Sequence, residues 1–211
     1  MRNLNDFKTG IVLVMAGMLL ASCSGSIADQ VAGKWQRDNA SSTTGTYTFE
    51  RDENTTGGGT FVYSRVLNDT VTYESGIVMT ANATYSLQGR WYIEDDAYDV
   101  PCDLHTSYDV NSIKADATNL NYHDTDGTTY TLNEVASLFG ESANQLKENY
   151  LNHLKEGVRN GFKDDNDGDT FSGFTIVSLD ENVLKAEILS DTDDNDTKNA
   201  KNDTIVYRRI Q

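Results

Sequence analysis

An acidic segment, KDDNDGDT at residues 163–170, contains side chains that could bind a metal ion. Hard oxygen ligands around a glycine turn are what calcium prefers, and the weak candidate ligands here are Asp165, Asp167 and Asp169. Against the EF-hand spacing, however, Gly168 at the sixth position puts Lys163 at the first and Phe174 at the twelfth, where carboxylates are needed. We therefore predict no metal site, and we interpret the segment as a solvated acidic turn with loose cation binding as the alternative.

Residues that could support catalysis are scattered. The three histidines, His105, His123 and His153, are far apart, and the chain contains no HExxH, GxSxG, CxxC or phosphate-binding glycine motif. Cys102, in VPCDL, has no pattern of basic residues around it, so we interpret it as a small buried apolar residue and keep a nucleophile as the alternative. We predict that the protein is not an enzyme and needs no cofactor.

The composition limits the partners. The chain has 33 acidic and 17 basic side chains and a net charge of −16. Binding of nucleic acid rests on a basic surface, so nucleic acid is not an expected partner. The length of 211 residues suits one domain with a substantial core.

The N-terminus is typical of an export signal. Arg2 and Lys8 precede an apolar run at residues 11–21 that is too short to span a bilayer but suits a signal peptide. The following Leu-Ala-Ser-Cys at residues 20–23 resembles the bacterial lipobox. The resemblance implies cleavage after residue 22, acylation of Cys23 and stable membrane anchoring by two or more chains. The residue after the cysteine is Ser24, and a serine at this position resembles the sorting signal of outer-membrane lipoproteins. We predict a signal peptide at 1–22 and a lipid-anchored tether at 23–32. Because residues 1–22 carry a net +1 (Arg2, Lys8, Asp6), the mature chain has −16 − 1 = −17.

Beyond residue 32 the hydrophobic pattern has a period of two. In TYSLQGRWYIE, Tyr85, Leu87, Trp91 and Ile93 alternate with polar positions, as in a strand with one buried face. The predicted strands are GTYTFER, FVYSRVL, DTVTYES, TYSLQGRWYIE, FTIVSL, VLKAEIL and DTIVYRRI. Many short strands joined by turn-rich segments predict a mainly β, antiparallel barrel or sandwich at residues 33–211.

A helical insertion at about 132–158 interrupts the strands. Thr131 with Glu134 and Ser142 with Gln145 fit the capping box at a helix N-terminus. After the second box, apolar residues recur at helical spacing: Leu146, Tyr150, Leu151, Leu154 and Val158. We predict that this helix packs over the open end or the outside of the barrel, with a membrane-surface helix as the alternative.

Gly33-Lys34-Trp35, a meander of strands and a late arginine on the last strand, Arg208 or Arg209, resemble the lipocalin and wider calycin pattern. In that family the tryptophan closes one end of the barrel beneath the arginine. The run LQGRWYIEDDAYDV is similar to lipocalin-like lipoproteins of the Bacteroidota. A lipocalin normally carries its helix after the last strands of its barrel, whereas here the predicted helices precede the final three strands.

The aromatic residues on the strands have two interpretations: they line a ligand cavity, or they fill the barrel. They are Tyr47, Phe49, Phe61, Tyr63, Tyr73, Tyr85, Trp91 and Tyr98, of which Tyr47, Phe49, Tyr63, Tyr85 and Trp91 are the main candidates for ligand contact. The predicted function is therefore a non-catalytic, lipid-anchored outer-membrane protein that binds a small apolar or sugar-like ligand or serves as an envelope accessory protein. The alternative is a surface interaction module, such as an adhesin or glycan-utilisation partner, that acts through its acidic loops.

Overall fold

The structure, a computed structural model, describes residues 26–38, 45–94, 99–164, 172–188 and 204–211. The predicted signal peptide, Cys23, Tyr98 and the acidic-turn residues Asp165, Asp167 and Asp169 lie outside the described residues. Among the residues that are described, no helix has both the length and the hydropathy needed to cross a membrane.

The fold is mainly β and antiparallel, as predicted. Its strands are β1 (Gly33–Arg37), β2 (Gly45–Arg51), β3 (Gly58–Thr72), β4 (Val78–Ile93), β5 (Cys102–His123), β6 (Thr129–Tyr130), β7 (Ser172–Leu179), β8 (Val183–Ile188) and β9 (Ile205–Arg209). The nine strands form one sheet in the order β4-β3-β2-β1-β9-β8-β7-β5-β6, and β4 also pairs with β5. This last pairing closes eight of the strands into a ring, with β6 attached to the outer part of β5.

The ring has one buried face along each strand. In β4 the odd-numbered positions from Met79 to Ile93 are buried and the even-numbered ones are exposed or half-buried. The predicted alternation of Tyr85, Leu87 and Trp91 is thereby confirmed. Two of the predicted strands, FVYSRVL and DTVTYES, are parts of the single strand β3, because β3 pairs with β4 without interruption from Gly58 to Thr72.

Strand β5 was not predicted, and its register explains why. Cys102, Leu104 and Thr106 are buried at even positions, but Ile113 and Ala117 are buried at odd positions. The pairing of β4 with β5 shifts twice, near Ser86/Gln88 and near Thr80/Asn82, and extra residues of β5 bulge at each point. Each bulge reverses the face of the following side chains, so the sequence shows no continuous period of two.

The helical insertion consists of two helices, α2 (Leu132–Phe139) and α3 (Ala143–Asp164), after an earlier helix, α1 (Ile27–Val31). Both predicted capping boxes are present: Glu134 N–H donates to Thr131 Oγ1, and Gln145 N–H donates to Ser142 Oγ. The helices lie against the parts of β3, β4 and β5 that extend beyond the ring and bury a second apolar cluster there. The predicted helical insertion is present as two helices, one after each capping box, and the second continues beyond the predicted end at residue 158.

Helix α1 lies within the segment that was predicted as a tether. Ile27, Ala28 and Val31 are buried in the cluster that fills the ring. Its N-terminus has a capping box between Ser26 and Asp29, and the pKa of Asp29 is lowered mainly by its hydrogen bond with Ser26 and then by Arg51. Residues 26–32 of the predicted tether are therefore helix α1 and the residues that flank it, and they belong to the fold.

Candidate ligand-binding site

Trp35 is buried beneath an arginine of the last strand, Arg209. Trp35 is 1% exposed, and its indole N–H donates to Val31 O at 2.7 Å. The guanidinium carbon of Arg209 lies 4.3 Å from the Trp35 ring centroid, a cation–π distance. Arg208 points to the outside and pairs with Asp38 at 2.7 Å. Of the two arginines named from the sequence, Arg209 is therefore the one that contacts Trp35, and the closure of a barrel end by this pair stays a prediction.

The strand aromatics fill the interior of the ring. Tyr47 is the centre of the cluster: its ring stacks on Phe49 at 5.4 Å, lies 4.8 Å from Tyr63, and its hydroxyl is 2.8 Å from that of Tyr108. Burial is the main reason that the pKa of Tyr47 is raised well above its usual value. The phenol therefore stays protonated at neutral pH and can donate a hydrogen bond.

The space left among these side chains is small. A gap of about 10 Å³ lies between Trp35, Tyr47, Phe49 and neighbouring residues, and this volume holds about one water molecule. Trp91 has a structural role as well, since its indole N–H is within hydrogen-bonding distance of Glu50 O and Thr60 O. Tyr63 and Tyr85 lie nearer α3, where Phe162 contacts Tyr63 edge-on at 6.2 Å. A ligand in this interior would have to displace aromatic rings, so ligand contact by these five aromatic residues stays a prediction.

A cavity of ligand size lies elsewhere, between the far end of β3 and the two helices. Its volume is about 490 Å³, within the usual range for small-molecule sites. The lining residues are Val71, Tyr73, Phe139, Glu141, Leu146, Asn149, Tyr150 and His153. Among the strand aromatics named from the sequence, Tyr73 is the one at this cavity within the part of the chain that the structure describes.

The helices position the cavity wall through simple local rules. Leu146, Asn149, Tyr150 and His153 follow the spacing i, i+3, i+4, i+7, which places them on one face of α3. Helix α2 ends at Gly140, whose φ of 71° is the left-handed conformation that glycine adopts without strain. This helix end places the side chains before and after Gly140, those of Phe139 and Glu141, at the cavity.

The polar groups of the cavity carry negative charge. Tyr150 donates its hydroxyl hydrogen to Asp69 Oδ2 at 3.0 Å, and Asn149 Nδ2 donates to the Glu141 carboxylate at 3.0 Å. Burial, and then the charge of Glu141, raise the pKa of Tyr73 above its usual value. The cavity thus combines apolar walls with protonated phenols and carboxylates. This combination favours a neutral or cationic ligand with an apolar body.

A second concave region lies over β2 to β5. It has a volume of about 390 Å³, and the residues that give it polar character are Glu50, Thr60, Gln88, Arg90, Ser107 and Asp109. The mixture of both charge signs and hydroxyls suits a polar ligand. It was not predicted, because its members come from four strands and do not form a local motif.

Comparison of the chain with protein-family models, curated proteins and solved structures gives no match.

Proposed function

We propose that this chain is a non-catalytic lipoprotein of the bacterial outer membrane whose lipocalin-like barrel carries a small-ligand site between β3 and helices α2 and α3. The cavity of about 490 Å³ is the observation on which the proposal depends. Its ligand is a small molecule with an apolar body and a neutral or cationic hydrogen-bonding group. The lipobox at residues 20–23 supports the anchor.

Two features support the lipocalin-like description. The ring of eight antiparallel strands is the arrangement that the family resemblance implies. Trp35 and Arg209, two of the residues that carry the resemblance, are in contact, which supports the same description. The position of α2 and α3 before β7 is the main departure, and it is this insertion that builds the cavity. The proposed ligand site therefore lies beside the barrel. The aromatic residues inside the barrel stabilise the barrel itself.

The cavity is tested with the neutral fluorescent probe N-phenyl-1-naphthylamine. Asn149 is exposed and lines the cavity, so Asn149→Trp should occupy the space without disturbing the core. Asn152→Trp adds the same side chain to an exposed position of the same helix that is not part of the lining. Using the chain from residue 24, we expect saturable probe binding that Asn149→Trp weakens at least about 10-fold and Asn152→Trp leaves unchanged. Equal binding by both variants, or none by the parent chain, would remove this cavity as the site.

The anchor is tested separately in cells. Labelling with palmitate should modify the parent chain, and Cys23→Ser should abolish the label and release the protein from the membrane fraction. A membrane-bound, labelled Cys23→Ser variant would refute acylation at Cys23. Native mass spectrometry of the released protein, purified from its own host, would identify a bound ligand by its mass.

The second candidate function is a surface interaction module. The filled interior and the polar concave region over β2 to β5 favour this role. Its ligand would be a glycan or another polar partner. A binding experiment with host glycans discriminates the two: Arg90→Ala should abolish glycan binding under the module hypothesis and leave probe binding in the β3 cavity unchanged.

A further inference from the structure

Three side chains with metal-ligand chemistry meet on the outer surface of the ring. Glu94 follows the last residue of β4, and Asp103 and His105 are alternate residues at the start of β5. Since Cys102, Leu104 and Thr106 point into the core, their neighbours Asp103 and His105 share the outer face. One ligand atom from each of the three lies within 4.8 Å of the others.

One separation in this group, that between His105 Nε2 and Glu94 Oε2, fits coordination better than hydrogen bonding. His105 Nε2 lies 3.5 Å from Glu94 Oε2, which is long for a charge-assisted hydrogen bond. Two ligand atoms that bind one tetrahedral zinc ion at about 2.0–2.2 Å are about 3.4 Å apart, which matches the observed separation. His105 Nε2 is also buried and has no hydrogen-bond partner among the described residues. A buried nitrogen without a partner is unfavourable unless something else binds it.

The neighbouring residues hold the ligand side chains in place. The His105 ring stacks on Tyr92, its partner on β4, with the centroids 4.6 Å apart and the planes 12° apart. On the other side, β7 places Gly173 opposite His105, so no cross-strand side chain competes for the space. Thr175, opposite Asp103, donates its hydroxyl hydrogen to Asp103 Oδ1 at 2.7 Å. Metal-binding carboxylates are commonly oriented by such a hydrogen bond.

We propose that Glu94, Asp103 and His105 form a binding site for a first-row divalent cation of the zinc type. His105 Nε2 and one oxygen from each carboxylate are the ligands, and water completes the coordination. The imidazole favours zinc over calcium or magnesium, which take oxygen ligands. The two carboxylates balance the charge of the ion. The site shares no residue with the lining of the β3 cavity.

Zinc binding is measured by competition with a chromophoric chelator, on the full chain after removal of metals with EDTA. We expect one zinc ion per chain at the tightest site. His105→Ala, and the more conservative His105→Gln and Asp103→Asn, should weaken this binding at least about 100-fold, because each removes a ligand. Thr175→Val removes only the hydrogen bond to Asp103 and should weaken binding about 10-fold.

The controls separate this site from general attraction of cations to an acidic chain. His123→Ala removes a histidine that lies outside the cluster, and it should leave zinc affinity unchanged. Calcium at 10 mM, about tenfold above the weakest range in which calcium-binding modules work, should not displace the ion. The proposal is overturned if His105→Gln and Asp103→Asn keep the parent affinity while remaining folded by circular dichroism. It is equally overturned if His123→Ala weakens binding as much as His105→Ala does.

Discussion

The substitution Arg209→Ala tests the closure of the ring, because Arg209 connects β9, β1 and α1. Its Nη1 donates to Ala32 O at 2.8 Å, its Nη2 donates to Gln30 O, and its Nε donates to Glu181 O at 2.7 Å. The same guanidinium lies over the Trp35 ring. The carbonyls of Gln30 and Ala32 are at the C-terminal end of α1, where a positive charge is favourable. One side chain thus satisfies three carbonyl groups from two segments.

The expected loss follows from these contacts. A net contribution of about 1 kcal/mol for each partly exposed hydrogen bond gives about 3 kcal/mol, and the cation–π contact adds about 0.5–1 kcal/mol. Arg209→Ala should therefore lower the free energy of unfolding by about 3–4 kcal/mol, which is on the order of a 10 °C fall in melting temperature for a domain of this size. Arg209→Lys keeps the charge but not the fork of donors, so about half of that loss is expected.

Arg208 provides the matched control. It is the preceding residue on the same strand, 62% exposed, with an ion pair to Asp38. An exposed ion pair contributes about 0–1 kcal/mol, so Arg208→Ala should change stability by less than about 1 kcal/mol. Urea unfolding followed by tryptophan fluorescence measures both variants, and Trp35 reports directly on the surroundings of Arg209. Equal losses from Arg208→Ala and Arg209→Ala would refute the assignment of closure to Arg209.

Two further predictions concern the buried parts of the ring. Burial, and secondarily the charge of Asp103, raise the pKa of the Cys102 thiol from 9.0 to about 11. In a Cys23→Ser background, the Cys102 thiol of the folded protein should react with dithionitrobenzoate at pH 8 far more slowly than the thiol of the protein unfolded in urea. The contribution of the protonated thiol to the free energy of unfolding is complete below pH 9 and is lost as the pH rises to 11. Cys102→Ala should reduce this loss of stability. Gly89→Ala should lower the free energy of unfolding by more than about 1 kcal/mol, because the added methyl group would meet the Phe61 ring and a backbone carbonyl. Gly157→Ala adds its methyl group in open space on α3, so it should raise the free energy of unfolding by about 0.5–1 kcal/mol. Thermal melts of both glycine variants check the pair, and a neutral Gly89→Ala would contradict the close approach.

Much of the fold could be predicted because the local signals agree with the final structure. GTYTFER coincides with β2, and both capping boxes begin helices where the sequence placed them. Strand β5 could not be predicted, since its two bulges reverse the inward face along the strand. Helix α1 was missed as well, because five residues carry too little periodicity to distinguish a helix from a tether.

The candidate sites were harder to predict because their members meet through long-range pairing. The spacing of Leu146 and Tyr150 indicated the buried face of α3. It did not indicate that Val71, on β3, and Tyr73, the first residue after β3, would form the opposite wall of a cavity. The sequence separation of the histidines suggested surface positions without a role. His105 has Asp103 beside it on its own strand, but it acquires Glu94 as a neighbour through the pairing of β4 and β5, which only a correct register reveals.

The position of β9 in the ring has a consequence for how the protein reaches its final location. β9 pairs with β1 on one side and β8 on the other, so Trp35 finds its partner Arg209 across nearly the whole chain. During synthesis the ring cannot close until β9 has emerged, because every earlier intermediate has an open seam between β1 and β8. Contacts between such distant segments form slowly. The proposed export would carry the chain across a membrane unfolded, and a fold whose seam closes last would keep the chain competent for that transport until translation has passed residue 209.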